Sequence, residues 1–310
     1  REIYGLDQSV IMGLDRHDPS IRTLDMSRIG AVLCNDPRDI GDGPPVKVMF
    51  IQNTNPAVVA PESERVREGF MRDDLFVCVH EQFMTDTAAM ADIVLPATTF
   101  LEHDDFYTGG GHTYLQVSRP VIEPYGESRP NHDVLCALAK RLGGEHPGFD
   151  MTAWELIDDC LKRSGYPGAD EIYAGHWHDC VQSFEDMHNL NGFGFPDGKF
   201  RFQPDWAALG PYGDKMPELP DYLKNIDVAD DERPYRMVTA PARGFLNTSF
   251  TEMPTSVRRE GKPTVMLHPD DCDALGLTDG MRTRLGNTLG SVVVESKAFD
   301  GVQRGVVIVE

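Results

Sequence analysis

The sequence has few basic residues, no closely spaced cysteine pair and no long apolar segment. Its 310 residues include 29 Lys and Arg against 50 Asp and Glu, which gives a formal net charge of −21 at pH 7. Because this excess of negative charge repels polyanions, we expect no nucleic-acid partner. None of the six cysteines belongs to a Cys-x2-Cys pair, which argues against a zinc finger, an iron–sulfur site or a redox dithiol.

Two kinds of targeting or membrane segment are also missing. No apolar run approaches the roughly 20 residues of a membrane span, and the segment 1–7 lacks the apolar stretch of a signal peptide. The sequence does not begin with methionine, so we expect a piece of a longer protein, and its cellular location stays open. Hydrophobic residues make up 40%, a proportion typical of a folded globular protein. The length suggests about two domains.

The first half of the chain alternates short apolar runs with segments of helical character. The runs 46–51, 75–79 and 93–96 predict buried strands. The spacing predicts a helix that begins at Pro61, and a second helix that is opened by Thr85. This alternation predicts an α/β fold with a parallel sheet, whose ligands bind at the carboxyl ends of the strands.

The middle of the chain carries clear helix signals followed by a change of composition. Asn131 can cap a helix that Gly143 stops, and Thr152 with Glu155 forms a capping box for the next helix. Residues 166–232 are rich in Gly and Pro and end in an acidic stretch from Asp227 to Glu232, which indicates a loop-rich connector with a solvated linker.

The last part of the chain shows short strands separated by turn residues. The pattern predicts a compact β domain, such as a barrel. The predicted strands are 235–239, 264–267, 281–285, 291–295 and 306–309.

Several motifs occur in an order and at a spacing that together are specific. They are Gln52–Pro56, Phe83–Ala88 followed by Ala91–Pro96, Phe100–Glu102, Pro124–Glu127, Gly192–Lys199, Thr239–Thr248 and His268–Gly280. With these motifs the sequence resembles the large catalytic subunit of the molybdopterin oxidoreductases of the dimethyl sulfoxide reductase type. That family includes formate dehydrogenases, nitrate reductases and S- or N-oxide reductases.

The resemblance implies a domain arrangement and a cofactor. Residues 1–150 would be the C-terminal part of the α/β parallel-sheet pterin-binding region, 151–232 a helix and loop-rich connector, and 233–310 a truncated double-psi β-barrel that binds molybdopterin dinucleotide. The implied cofactor is molybdenum or tungsten held by two molybdopterin guanine dinucleotides. The implied partners are a small-molecule redox substrate and an electron-transfer subunit.

The resemblance also places some functional groups outside the chain. The family's metal-ligating residue and any iron–sulfur motif would lie upstream of Arg1. We therefore predict no catalytic residue and no metal ligand within these residues. We expect the isolated chain to be inactive.

Guanine offers two adjacent hydrogen-bond donors, which one carboxylate can accept together. The resemblance implies that His80 and Glu81 face guanosine and that Asn55 contacts the nucleotide. A surface turn at Glu81 and an Asx-turn at Asn55 are the alternatives. The resemblance implies weaker cofactor contacts for His103 and Asn131, for which a solvated histidine and a simple helix cap are the alternatives.

Residues 239–248 resemble a loop that wraps the pterin pyrophosphate. The resemblance implies that Thr239, Arg243, Asn247 and Thr248 supply hydroxyl, guanidinium and amide donors to it. A plain hairpin is the alternative.

Three further alternatives stay open. A zinc site at His176, His178 and Cys180 has the right ligand types but not the spacing of a standard finger. For the whole protein, the alternatives are a cofactor-free scaffold like the large subunit of respiratory complex I, and a non-redox hydratase or transhydroxylase with the same cofactor.

Overall fold

A computed structural model describes residues 4–18, 20–209, 213, 216–221 and 228–310. Asp227, where the predicted acidic linker begins, lies outside the described residues. The chain forms two compact units, and the first draws on residues within 1–24, 47–54 and 73–204. The second draws on residues within 25–46, 55–72 and 205–310.

The helices are short, and none in the described part of the chain is long and apolar enough to cross a membrane. The α-helices are α1 Ile29–Leu33, α2 Pro37–Ile40, α3 Pro56–Val59, α4 Ser63–Phe70, α5 Asp86–Ala89, α6 Asn131–Leu142, α7 Ala153–Arg163, α8 Ala169–Gly175, α9 Phe184–Met187, α10 Pro254–Glu260 and α11 Pro269–Leu275. Single 3-10 turns occur at Leu14–Arg16, Met26–Arg28, Pro147–Phe149 and Trp206–Leu209.

The strands form three sheets. They are β1 Val48–Gln52, β2 Phe76–Glu81, β3 Ile93–Pro96, β4 Asp105–Thr108, β5 Tyr114–Ser118, β6 His178–Asp179, β7 Arg236–Thr239, β8 Thr264–Leu267, β9 Arg282–Asn287, β10 Gly290–Ala298 and β11 Val306–Val309.

The predicted parallel sheet is confirmed in the first unit. Its strand order is β1-β2-β3, with both pairs parallel. One face of the central strand β2 is buried through Val77 and Val79, whereas on the other face His80 is buried and Phe76 is 44% exposed. The predicted helix opened by Thr85 is also confirmed, since the Thr85 hydroxyl accepts a hydrogen bond from the backbone N–H of Ala88.

A second sheet in the first unit was not predicted. The β4–β5 hairpin pairs with β6 and packs against α7 and α8. The predicted capping box at Thr152 and Glu155 is confirmed at the start of α7. The buried side chains of this core are Leu115, Val117, Trp154, Ile157, Leu161, Ala169, Ile172 and Cys180.

In the second unit, the prediction that a helix begins at Pro61 is wrong. A proline disfavours helical geometry in the residue before it, and Ala60 is accordingly extended and ends α3. The next helix begins at Ser63, after Glu62 has adopted a left-handed conformation with φ 57°. Val66 and Phe70, four residues apart on one face of this helix, are both buried.

The C-terminal β domain is confirmed as a curled, mixed five-stranded sheet. Its order is β7-β11-β8-β10-β9, in which β8 runs parallel to β10 and antiparallel to β11. This mixture of directions is the barrel-like arrangement expected from the strand and turn pattern. Its core contains Val265, Leu267, Cys272, Val294 and Val307.

Candidate functional site

The carboxyl edge of the parallel sheet is the place where the polar side chains of the first unit collect. Gln52 ends β1, and Glu81 ends β2. A fourth segment joins this edge through a parallel bridge between Ala97 and Arg129. Because parallel strands end at the same edge, these residues lie side by side, where α/β sheets bind ligands.

His80 is buried completely, and both of its ring nitrogens have protein partners. Gln52 lies directly opposite on β1, and its Nε2 is 3.0 Å from His80 Nδ1. His80 Nε2 is 3.1 Å from the carbonyl oxygen of Arg129. The neutral tautomer protonated on Nε2 satisfies both contacts, since Nδ1 then accepts and Nε2–H donates. The ring also stacks on Phe50, with centroids 6.5 Å apart.

Glu81 follows His80 and, by strand alternation, projects to the opposite face. Its side chain is partly exposed. Oε1 accepts a hydrogen bond of 2.7 Å from the backbone N–H of Gln82. Oε2 makes no hydrogen bond to another described residue. One carboxylate oxygen at the sheet edge is thus available to a ligand.

The prediction that Asn131 caps α6 is wrong. Pro130 is the N-cap residue, with φ −62° and ψ 152°, and its carbonyl accepts the first helical hydrogen bond from Val134 at 3.2 Å. Proline favours this extended entry because its ring fixes φ, so Asn131 becomes the first helical residue. The Asn131 side chain, partly exposed, bonds to none of the described residues. The predicted stop at Gly143 is confirmed by its left-handed conformation.

Glu102 organises the loop that follows β3. It is only 6% exposed. Its Oε2 accepts from the backbone N–H of Thr99 at 2.6 Å and from the Thr99 hydroxyl at 2.8 Å. Its Oε1 accepts from the backbone N–H of Tyr125 at 2.6 Å. These three donors hold the pKa of the Glu102 carboxyl below its ordinary value.

We expect Glu102 to make stability depend on pH. Folding lowers the pKa of the Glu102 carboxyl below its ordinary value of 4.5. The stabilisation that Glu102 contributes is therefore fully present above the ordinary pKa, and it is lost as the pH falls through the lower pKa of the folded state. Glu102→Gln should therefore lower the free energy of unfolding at pH 7 and flatten its fall between about pH 5 and 3. Urea unfolding across this pH range measures both effects.

Glu123→Gln, at an exposed position, is the matched control. Its free energy of unfolding should depend on pH as that of the unaltered protein does. If the free energy of unfolding of Glu102→Gln falls with pH as steeply as that of the unaltered protein, Glu102 is not the source of this pH dependence.

His103 lies beside an acidic cavity of about 440 Å³ in the first unit. Its Nδ1 is 2.7 Å from the Thr98 hydroxyl oxygen, and its Nε2 is 3.9 Å from Asp105 Oδ2. The lining contains four carboxylates and no Lys or Arg; it consists of Glu102, His103, Asp104, Pro120, Pro130, His132, Asp133, Cys136, Phe149, Asp150, Met151, Thr152 and Ala153. This cavity disfavours an anionic pyrophosphate.

Asn55, in the second unit, is 7% exposed and precedes α3. Its backbone carbonyl accepts hydrogen bonds of 3.0 Å from both Val58 and Val59. Its side chain makes no capping bond to the helix. The backbone alone therefore starts this turn, without the side-chain bond of an Asx-turn at the cap.

The loop 239–248 also lies in the second unit and begins at the end of β7. Leu246 and Ser249 exchange backbone hydrogen bonds of 3.2 and 2.9 Å around Asn247, whose φ is 53°. A tight hairpin is therefore present, but it is confined to residues 246–249. Thr239, Arg243 and Asn247 are exposed and Thr248 is partly exposed. Their side chains form no hydrogen bond or ion pair with the described part of the chain.

No group of three or more His, Cys, Asp or Glu side chains in the described ranges is arranged to hold a metal ion. His178 instead packs edge-on against Tyr166, with ring centroids 5.3 Å apart. His188 stacks on Phe184 at 4.0 Å.

Sequence reasoning missed Gln52 and Arg129, which bind the two ring nitrogens of His80. Gln52 stands in a motif that had been singled out, but its role depends on the alignment of β1 with β2. Arg129 precedes a proline, which predicts an extended residue, and this was the available signal that it continues the sheet.

Comparisons with known proteins agree with this architecture. Residues 32–141 match the model of the molybdopterin oxidoreductase family, and residues 235–310 match the molydopterin dinucleotide binding domain. The chain is 35% identical to the probable oxidoreductase YoaE of Bacillus subtilis, over 93% of this chain and 41% of that protein. It is 29% identical to a dimethyl sulfoxide/trimethylamine N-oxide reductase of Rhodobacter capsulatus, over 85% of this chain and 35% of the reductase.

A solved structure shares the fold. The acetylene hydratase from Pelobacter acetylenicus superposes with a TM-score of 0.74 at 22% identity, over 90% of this chain and 38% of the hydratase. The chain thus spans less than half the length of these similar proteins. It belongs to the molybdopterin oxidoreductases of the dimethyl sulfoxide reductase type, and it carries their C-terminal molybdopterin dinucleotide-binding domain.

Proposed function

We propose that the chain is the cofactor-binding part of an oxidoreductase that uses molybdenum or tungsten bis-molybdopterin guanine dinucleotide. The observation that carries this proposal is the sheet edge of the first unit. There, a Glu81 carboxylate oxygen and the Asn131 amide are left without partners among the described residues. Both side chains are partly exposed, so a ligand that binds at this edge can contact them.

The donor set at this edge fits guanine. Glu81 Oε2 can accept from one of the two adjacent guanine donors, N1–H and the 2-amino group, and Oε1, which keeps a lone pair beside its bond from Gln82, can accept from the other. The Asn131 amide can donate to the guanine carbonyl oxygen. Adenine lacks the N1–H donor and would place a lone pair against the carboxylate, so this set favours guanine.

The second unit offers the donor types that a pyrophosphate needs. Arg243 supplies a guanidinium and Asn247 an amide, while Thr239 and Thr248 supply hydroxyls. Because these side chains make no hydrogen bond or ion pair with the described residues, they are available to bind the cofactor's phosphates. We include Asn55 and His103 as further proposed contacts with the cofactor.

When bound, the metal–pterin centre supplies two-electron exchange with a small substrate. The residues of this chain bind and orient it, and none is proposed to be catalytic. The substrate class that relatives suggest is an S- or N-oxide, nitrate or formate, and an electron-transfer subunit is the proposed redox partner. A cofactor-free scaffold is the alternative, and it predicts no binding of a guanine nucleotide at Glu81 and Asn131.

Competition between nucleotides tests the guanine assignment. The full-length protein, produced without cofactor, is titrated calorimetrically with GDP and then with ADP. We expect GDP to bind at least about tenfold more tightly, because one unmatched buried polar contact costs about 1 to 3 kcal/mol. Equal affinities, or binding of neither nucleotide, would contradict the proposal.

A further inference from the structure

We propose that His80 is a positioning residue for Asn131 and does not itself bind the cofactor. The inference rests on the proposed function, because it concerns how the guanine-binding edge is built. His80 has no exposed surface, and both ring nitrogens are engaged by Gln52 and by the Arg129 carbonyl. In this arrangement neither nitrogen is left to contact a ligand.

The Arg129 carbonyl is the point through which His80 acts. It accepts from His80 Nε2–H at 3.1 Å and from the backbone N–H of Thr98 at 3.3 Å. The Arg129 N–H donates to the Pro96 carbonyl at 3.1 Å. Arg129 is thus fixed to the end of β3 by its backbone and to β2 by His80.

Asn131 is only two residues beyond Arg129. Pro130 lies between them, and its ring restricts φ, so little freedom separates the Arg129 carbonyl from the start of α6. Asn131 has no side-chain bond to the described residues that could place it independently. The His80 bond, together with the Arg129 backbone bonds to Pro96 and Thr98, therefore sets where the Asn131 amide stands at the same sheet edge as Glu81.

The imidazole is well suited to this task. It accepts on one side and donates on the other across a rigid ring, and stacking on Phe50 limits its rotation. Phenylalanine keeps the ring shape but loses both hydrogen bonds. Glutamine restores one acceptor and one donor on a flexible chain.

A double-mutant cycle on GDP affinity tests the inference in the cofactor-free full-length protein. We expect His80→Phe and Asn131→Ala each to weaken GDP binding about tenfold. If His80 acts through Asn131, the double variant should be no more than about twofold weaker than Asn131→Ala alone. His80→Gln should recover part of the affinity.

The outcomes separate this inference from the proposed function. Additive losses would mean that His80 contributes independently, and a His80→Phe variant with unchanged affinity would mean that it contributes nothing; either overturns the positioning role alone. Failure of the unaltered protein to bind GDP overturns the proposed function and this inference with it.

If His80→Phe does not fold, Gln52→Leu replaces it in the cycle. This change removes only the Nδ1 partner and leaves the Arg129 bond without its orienting neighbour. A loss of affinity that disappears in the Asn131→Ala background supports the inference. A loss that persists there overturns it.

Discussion

Replacing Glu81 by glutamine is expected to weaken GDP binding by roughly ten- to hundredfold. The substitution keeps the size of the side chain but replaces one acceptor oxygen with an NH2 donor. That donor would oppose the N1–H or the 2-amino group of guanine, and a hydrogen bond to a charged group is worth about 1.5 to 3 kcal/mol. Calorimetric titration of the cofactor-free full-length protein with GDP measures the change.

The fold should tolerate this substitution. Glu81 is partly exposed, and the remaining amide oxygen can still accept the bond from the Gln82 backbone. Glu145→Gln is the matched control, because Glu145 is exposed and lies beyond α6. It should bind GDP as the unaltered protein does. A Glu81→Gln variant with the affinity of this control would remove Glu81 from the site.

The second large effect is expected from Gly30→Ala in the α1–α4 helix pair. Alanine is the better helix former by about 1 kcal/mol, so helix propensity alone predicts a gain in stability. A Cβ at Gly30, however, would lie 2.9 Å from the backbone nitrogen of Val66 and 3.1 Å from the carbonyl carbon of Arg65. Backbone atoms cannot rotate away, so the helices must separate.

We expect overpacking to outweigh propensity and to lower the free energy of unfolding by about 1 to 3 kcal/mol. Urea denaturation measures this change in the free energy of unfolding. Gly175→Ala is the control, since Gly175 ends α8 and an added Cβ meets nothing within 4 Å. Gly175→Ala should be neutral or slightly stabilising. Equal stability of both variants would mean that α1 and α4 do not pack this closely.

Local signals in the sequence predicted local structure well. The bounds predicted for β3, β8 and β11 match the observed strands, and the capping box of α7 is present. Such features depend on residues within a few positions of one another. An apolar run bounded by turn residues reveals a strand directly, and a capping residue reveals the start of a helix.

Non-local pairing explains what the sequence did not predict. The β4-β5-β6 sheet joins Leu115 to His178 across 62 intervening residues. The partners of His80 lie 28 and 49 residues away. At Asn131 the error came from two local signals in competition, because a cap residue stood next to a proline that starts the helix instead.

Cofactor binding is tested by the guanine nucleotide and metal content of the purified holoprotein. The full-length protein is denatured in acid, released nucleotides are separated by chromatography, and metals are measured by mass spectrometry. We predict that guanosine monophosphate is released together with molybdenum or tungsten. Protein that is folded and active as isolated, yet releases neither the nucleotide nor either metal, would contradict it.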